Sequence, residues 1–425
     1  MSTSKAAKGW KERWIHAAVS GNVLPMTMNA TLANAIPSFS FHTTPRIVFC
    51  EGAAAELARH LGTTAQDRLM IVTDPGILGL GLAEPAIASL KATGADVRVF
   101  GEVEADPSLA TLERAIAMAL DFRATGVIGF GGGSSLDVAK LTALFAGSGQ
   151  AIDTAWGVNH ARGPRLPLAL IPTTAGTGSE VTPVAIITVG EDEKRGVSSP
   201  LNLPDVAILD PLLTTGLPPH ITAATGIDAM VHAIEAYASK NANNNPISRN
   251  LAVEALRLLG RNIEEAVFNG GNLAARSAML IGSMLAGQAF ANSPVAAVHA
   301  LAYPIGGRFH VPHGLSNALV LPHVLRFNAA DAANGSFAQY AALGPHAFPD
   351  LDGEDGAQAI CARFIDRLAE LSVRLGLKSR LRDVGIAEAD LPAMAADAMK
   401  QTRLLVNNPR DVSEADAYAI YKAAW

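Results

Sequence analysis

The chain has 425 residues, 49% hydrophobic and 17% charged, which excludes a disordered polymer and, at roughly 150 residues per domain, suggests two or three folded units. The 33 Lys+Arg against 39 Asp+Glu leave a net charge of −6 spread along the chain, so no nucleic-acid or acidic-membrane partner is expected. Two cysteines, Cys50 and Cys361, are too few for a disulfide framework and fit a reducing, cytoplasmic compartment.

The first 38 residues read as a leader, either disordered or an overlong start with Met26 or Met28 as the true first residue. Lys5, Lys8, Lys11 and Arg13 followed by Ala33-Asn34-Ala35 faintly imitate a secretion signal, but His16, Asn22 and Asn29 interrupt its apolar part. From 39 to 210, short β-branched runs alternate with Ala/Leu-rich segments. Residues 68–73 predict a strand stopped by Asp74-Pro75-Gly76, 84–93 a helix with Pro85 in its first turn, and 96–100 a strand. Residues 109–122 then predict a helix and 126–130 another strand, a βαβ rhythm that implies a parallel sheet covered by helices.

After Pro211 the strand-like runs nearly vanish, and 247–259, 273–290 and 358–375 repeat at helical spacing, so 211–425 reads as an all-helical domain. The interval between Arg276 and Arg308 carries no formal charge. Gln288, Asn292, Ser293, Pro294 and His299 interrupt it, so it reads as a buried helix followed by a polar turn and not as a membrane span. Ser413, three residues before Asp416, predicts a capping-box start for a last helix.

Two segments of the first domain suit a dinucleotide. The strand 127–130 runs into Gly131-Gly132-Gly133-Ser134-Ser135 and then a helix over 136–145, which brings free backbone N–H groups and a positive helix end to one point. This is not G-x-G-x-x-G, and a glycine triplet also serves as a plain tight turn. The run 168–172 leads into Thr173-Thr174-Ala175-Gly176-Thr177-Gly178-Ser179-Glu180, whose hydroxyls could serve ribose and phosphate oxygens or simply make a polar loop. Asp74 could accept from an adenosine ribose, although its spacing alone reads as turn chemistry.

Six of the eleven histidines fall between His220 and His323. Asp228 and His232, at i and i+4, leave one face of a helix a turn apart, as metal ligands or as a helical ion pair. With His299, His310 and His313 further on, the carboxylate and imidazoles suit Fe(II) or Zn(II).

Taken together, Gly131-Gly132-Gly133-Ser134-x-x-Asp137-x-x-Lys140, Pro172-Thr173-Thr174-Ala175-Gly176-Thr177-Gly178-Ser179-Glu180, Gly226-x-Asp228-x-x-x-His232-Ala233-x-Glu235-Ala236-Tyr237 and His299-Ala300-Leu301-Ala302-Tyr303-Pro304 followed by Pro312-His313-Gly314 resemble the iron-containing (group III) alcohol dehydrogenases, over about 39–425. The resemblance implies an α/β dinucleotide-binding domain with a parallel sheet, an all-α metal-binding domain of dehydroquinate-synthase-like architecture, and catalysis between them. It implies Fe(II), or Zn(II), on Asp228, His232, His299 and His313. It further implies NAD on the glycine loop, on Asp74, Asp106, Ser134, Asp137 and Lys194, and on Thr173, Thr174 and Thr177. The implied reaction interconverts a small alcohol and an aldehyde or ketone by direct hydride transfer, in a homodimer.

Many members carry a histidine four residues after the third ligand, where this chain has Tyr303, so the candidates for proton handling are Tyr303 and His310. The rival reading is a metal-independent reductase of an oxo acid resembling maleylacetate reductase, whose closing Asn408-Pro409-Arg410 looks similar. A second rival is a dehydroquinate-synthase-like lyase, which would need a basic cluster where Gly307-Arg308-Phe309 supplies one arginine.

Overall fold

The computed structural model describes residues 36–190, 193–331, 333, 335–353 and 356–425. All but the last three residues of the expected leader, including Lys5 to Arg13 and Met26, therefore lie outside the described residues. Among the described residues nine strands follow in order: β1 (Ile47–Phe49), β2 (Arg68–Val72), β3 (Asp96–Phe100), β4 (Gly126–Gly131), β5 (Gly157–Val158), β6 (Leu168–Pro172), β7 (Val184–Val189), β8 (Glu193–Ser198) and β9 (Val206–Leu209). Six of them form a sheet in the order β1-β9-β6-β4-β2-β3, and every pairing in it is parallel. Strands β4, β6 and β9 are buried at every position, as expected of central strands covered on both faces.

The helices of this half are α1 (Leu57–Leu61), α2 (Pro75–Gly79), α3 (Glu84–Lys91), α4 (Leu109–Phe122) and α5 (Gly133–Ser148). Helix α4 has the predicted bounds, because the Ser108 hydroxyl caps it by accepting from the Thr111 N–H at 3.2 Å. Two local expectations change. The stop after β2 is a one-turn helix, with Pro75 at its first position and the Asp74 carboxylate accepting from the Ile77 N–H at 3.0 Å. Helix α5 begins at Gly133, so the glycine and serine residues themselves form its first turn.

Chain direction across the sheet reverses between β2 and β4: β3 lies outside β2, while β4, β6 and β9 build the other way. The loops leaving the carboxyl ends of β2 and β4 diverge there, which opens a crevice at a topological switch point. A second sheet, β5-β8-β7, with β7 and β8 antiparallel, stands beside it. The sequence did not announce this hairpin, because Glu193-Lys194-Arg195 breaks the apolar pattern.

Beyond β9 the regular elements are helices: α6 (Pro219–Ala238), α7 (Pro246–Phe268), α8 (Leu273–Asn292), α9 (Ala297–Phe309), α10 (His313–Ala329), α11 (Ser336–Ala347), α12 (Ala357–Arg374), α13 (Leu391–Ala398), α14 (Thr402–Leu405) and α15 (Glu414–Ala424). Residues 226–236 of α6 are buried all round, so α6 is the central helix. Helix α8 ends at Asn292, and among the described residues no helix is long and apolar enough to cross a membrane. The capping box of α15 forms as expected, the Ser413 hydroxyl accepting from the Asp416 N–H at 3.2 Å and the Asp416 carboxylate from the Ser413 N–H at 3.0 Å.

Candidate active site

The end of β4 turns through Gly131 at φ 149°, where a Cβ would lie 2.8 Å from Ser135 Oγ, so the turn needs glycine. Gly132 is the N-cap of α5 with no side chain capping it, so the helix's first N–H groups are left without intrahelical partners where Gly133 and Ser134 line a cleft. Asp74, leaving the neighbouring β2, closes the same turn: its Oδ2 accepts from Ser135 Oγ at 3.3 Å. The carboxylate is thus both turn residue and a negative charge beside the glycine turn. Thr173 is buried and its N–H donates to the Gly131 carbonyl at 3.0 Å, while Thr174 and Thr177 lie against Gly132 and Gly133.

The Ser134 hydroxyl donates to the Ala105 carbonyl, and Lys194 Nζ reaches Asp106 Oδ1 at 2.5 Å and Thr188 Oγ1 at 2.8 Å across the crevice. Asp137 is more heavily committed. Its Oδ1 accepts from Ser179 Oγ at 2.6 Å and Lys140 Nζ at 3.3 Å, and its Oδ2 from the Ile186 N–H at 2.9 Å. Lys140 is fully buried and also donates to Ser179 Oγ and the Val184 carbonyl, so this pair fastens α5 to β7. Burial lowers the Lys140 pKa and the Asp137 charge opposes that shift.

The four expected ligands come from three helices: Asp228 and His232 from α6, His299 from the first turn of α9, and His313 from the start of α10. One ligand atom each from Asp228, His232 and His299 lie within 4.8 Å of one another, and all three side chains are buried. His313 Nε2 lies 3.7 Å and His299 Nε2 3.8 Å from Asp228 Oδ1. The His232 ring stacks on Phe290 with centroids 4.4 Å apart, which fixes its plane.

The protonation pattern of the donors fits a cation. His232 Nδ1 lies 3.3 Å from the Gly176 carbonyl, which can only accept, so that nitrogen carries the proton. His299 Nδ1 is 2.6 Å from Glu235 Oε2, an oxygen that also accepts from the Ala296 N–H. The two Nε2 atoms then face each other bare at 3.0 Å in a buried site, an arrangement that a shared cation relieves. The Asn317 amide nitrogen reaches in among them, 2.6 Å from Asp228 Oδ1 and 3.3 Å from His299 and His313 Nε2, while its buried Oδ1 has no hydrogen-bond partner. Burial drives the His232 pKa down to about 3. Burial also works against ionised Asp228, but His232, His313, His299 and the Asn317 amide hold its pKa below the ordinary carboxylate value.

A cleft of about 660 Å³ joins the two regions, lined on one wall by Asp106, Gly133, Ser134, Asp137, Thr177 and Lys194 and on the other by His232, His299, Tyr303 and His313. Tyr303 borders His313 with ring centroids 6.2 Å apart. His310 does not line the cleft. It is exposed, with φ 53°, as the left-handed cap that ends α9. Glu235, Asn317 and Phe290 were not singled out as site residues from the sequence. The signals were an acid and an asparagine one helical turn from ligands, at His232 plus three and His313 plus four, within otherwise apolar helices.

Residues 44–211 match the iron-containing alcohol dehydrogenase family, and residues 222–425 match the C-terminal part of the same family. The chain belongs to the iron-containing alcohol dehydrogenase family. It is 41% identical over 377 residues to long-chain-alcohol dehydrogenase 1 of Geobacillus thermodenitrificans, covering 88% of this chain and 93% of that protein. It is 36% identical to sulfoacetaldehyde reductase of Bilophila wadsworthia, over 91% of this chain and 99% of that one. A crystal structure of a 1,3-propanediol oxidoreductase superposes with a TM-score of 0.84 at 34% identity, covering 91% of this chain and all of the other. This family member is an NAD-linked, metal-dependent alcohol dehydrogenase. The metal-independent reductase is not favoured: the similar proteins are alcohol dehydrogenases, and Asp228, His232 and His299 form a buried cluster able to hold a metal, which that enzyme would not need.

Proposed function

We propose that Asp228, His232, His299 and His313 together hold one Fe(II), with Zn(II) suited to the same donors, and that the cleft binds NAD along its glycine-loop wall with the alcohol between the two. The observation that carries this is the approach of His232 Nε2 and His299 Nε2 to 3.0 Å beside the buried Asp228 carboxylate. Bound there, the groups supply the chemistry: the cation is a Lewis acid toward the alcohol oxygen and the nicotinamide is the hydride acceptor.

The chain's own residues do the rest. The Gly132 and Gly133 amides and the N-terminus of α5 receive the diphosphate, and Asp74 accepts from the adenosine ribose and repels a 2′-phosphate. Asp106 and Lys194, already paired with each other on the cleft wall, would bind a ribose of the cofactor. Thr173, Thr174 and Thr177 back the loop, while Asp137 acts through its scaffold bonds. Phe290, Val295, Ala302 and Leu404 give the substrate end an apolar wall that excludes water from the reacting carbon. Tyr303, on the cleft wall beside His313, is placed to hydrogen-bond the alcohol hydroxyl, whose proton leaves to solvent through the open cleft.

The substrate is a primary alcohol or its aldehyde carrying an apolar chain, in a cytoplasmic homodimer. Arg403 at the cleft rim gives the competing specificity, an aldehyde with an anionic tail. Turnover of NADH against a series of unbranched aldehydes and ω-carboxy aldehydes tests the assignment. A kcat/KM that rises with apolar chain length supports it, and a preference for the charged series at equal length contradicts it.

A further inference from the structure

Glu235 is an acid on the most deeply buried helix of the protein, with 5% of its surface exposed, and neither the ligand set nor the cofactor wall includes it. An acid in such a place demands partners, and it has three. Its Oε1 accepts from the Val298 N–H at 2.6 Å, and its Oε2 accepts from the Ala296 N–H at 3.0 Å and from His299 Nδ1 at 2.6 Å. Ala296 and Val298 belong to the start of α9, whose N-cap residue, Ala296, has no side chain able to cap it. The carboxylate therefore reaches from α6 to the buried amides at the start of α9 and finishes on the imidazole one residue further along.

We propose that Glu235 is the positioning residue that makes His299 a ligand. By capping α9 with one carboxylate and accepting the Nδ1 proton with the same group, it locks the tautomer in which Nε2 is bare and aimed at Asp228 and His232. This inference rests on the metal-site reading above. Its physical core is donor counting: two backbone N–H groups already point at the carboxylate, so His299 is held to the donor role at Nδ1 and must present its lone pair at Nε2. The other ring is oriented independently, by the Gly176 carbonyl at His232 Nδ1, so loss of Glu235 disturbs one ligand of the set and leaves the other in place.

Glu235→Gln is the probing substitution, because it keeps shape and volume while replacing one acceptor oxygen by an NH₂ group. Whichever way the amide turns, a donor faces a donor: the Val298 N–H in one orientation, or the Ala296 N–H in the other, where the NH₂ also favours the opposite His299 tautomer. Metal-free wild type, Glu235→Gln and His299→Ala would each be titrated with Co(II), with NADH binding and thermal unfolding measured in parallel. Histidine ¹⁵N NMR of the metal-free wild type would report which His299 nitrogen bears the proton. The inference predicts protonated Nδ1 at His299 in the wild type, and Co(II) affinity about 10–100-fold weaker in Glu235→Gln with NADH affinity unchanged.

Equal Co(II) affinity in the wild type and Glu235→Gln would overturn the inference, as would a His299 proton on Nε2. Co(II) affinity unaffected in His299→Ala would instead overturn the metal-site reading itself, and the inference with it. If Glu235→Gln does not fold, the ¹⁵N assignment in the wild type decides alone.

Discussion

Asp74 shows how a residue can satisfy two readings at once. One oxygen caps α2 through the Ile77 N–H and the other meets Ser135 on the glycine turn, so the turn chemistry that its spacing suggested is what fixes the charge beside the cofactor loop. Asp74→Gly should therefore raise the NADP/NAD ratio of kcat/KM by about 10-fold or more, while also costing about 1 kcal/mol for the lost cap. Unfolding and steady-state kinetics on one preparation separate the two effects. Asp228→Ala should abolish metal retention and lower turnover by at least about 1,000-fold while leaving NADH binding within about 2-fold, measured by elemental analysis and fluorescence titration. His323 adds a pH dependence away from the reaction, since burial holds its pKa down to about 4. The unfolded chain protonates near 6.5 and the native state does not until about 4, so stability is fully present above about pH 6.5 and is lost as pH falls toward about 4. His323→Gln should remove about 2 kcal/mol of the difference in unfolding free energy between pH 8 and pH 5, read from denaturant midpoints at the two pH values.

Among elements, α6 and α10 approach closely at Gly314, the residue after the proposed ligand His313, and this approach sets the spacing between Asp228 and His313. A Cβ there would lie 2.3 Å from the Ala224 carbonyl oxygen and 2.7 Å from its carbon, both backbone atoms of α6. Gly314→Ala must push α10 away from α6, so it should cost about 1–3 kcal/mol and weaken metal binding although no ligand is changed. A drop in melting temperature with unaltered Co(II) affinity would show that this contact sets only stability. This contact also marks what the sequence could and could not reveal. Periodicity gave α4 to the residue, and the local Ser413–Asp416 capping box gave the start of α15. The β7–β8 hairpin was hidden because its second strand is held by tertiary contacts, with Lys194 reaching across to Asp106. Glu235 was hidden for a similar reason. Its partners, Ala296, Val298 and His299, are more than sixty residues away in the chain, and nothing near it in the sequence says that an α9 amide needs an acceptor.

For the whole molecule, the reaction depends on a parallel sheet and a helical half presenting their sites to one cleft. The glycine turn sits at the switch point between β2 and β4, and the ligand helices α6, α9 and α10 face it across about 660 Å³. The four proposed ligands were named in the sequence through a family resemblance, and the structure gathers Asp228, His232 and His299 with His313 beside Asp228, a convergence of helices that spacing alone does not report. His310, which the sequence put beside the ligands, instead ends α9 as its exposed cap. The most direct test of this account is elemental analysis of anaerobically purified protein together with NADH oxidation against an aldehyde, before and after chelation and after Fe(II) is restored. Close to one metal ion per chain is expected, with activity lost on chelation and recovered with Fe(II), and neither metal nor activity in Asp228→Ala. Full activity in metal-free protein would contradict it.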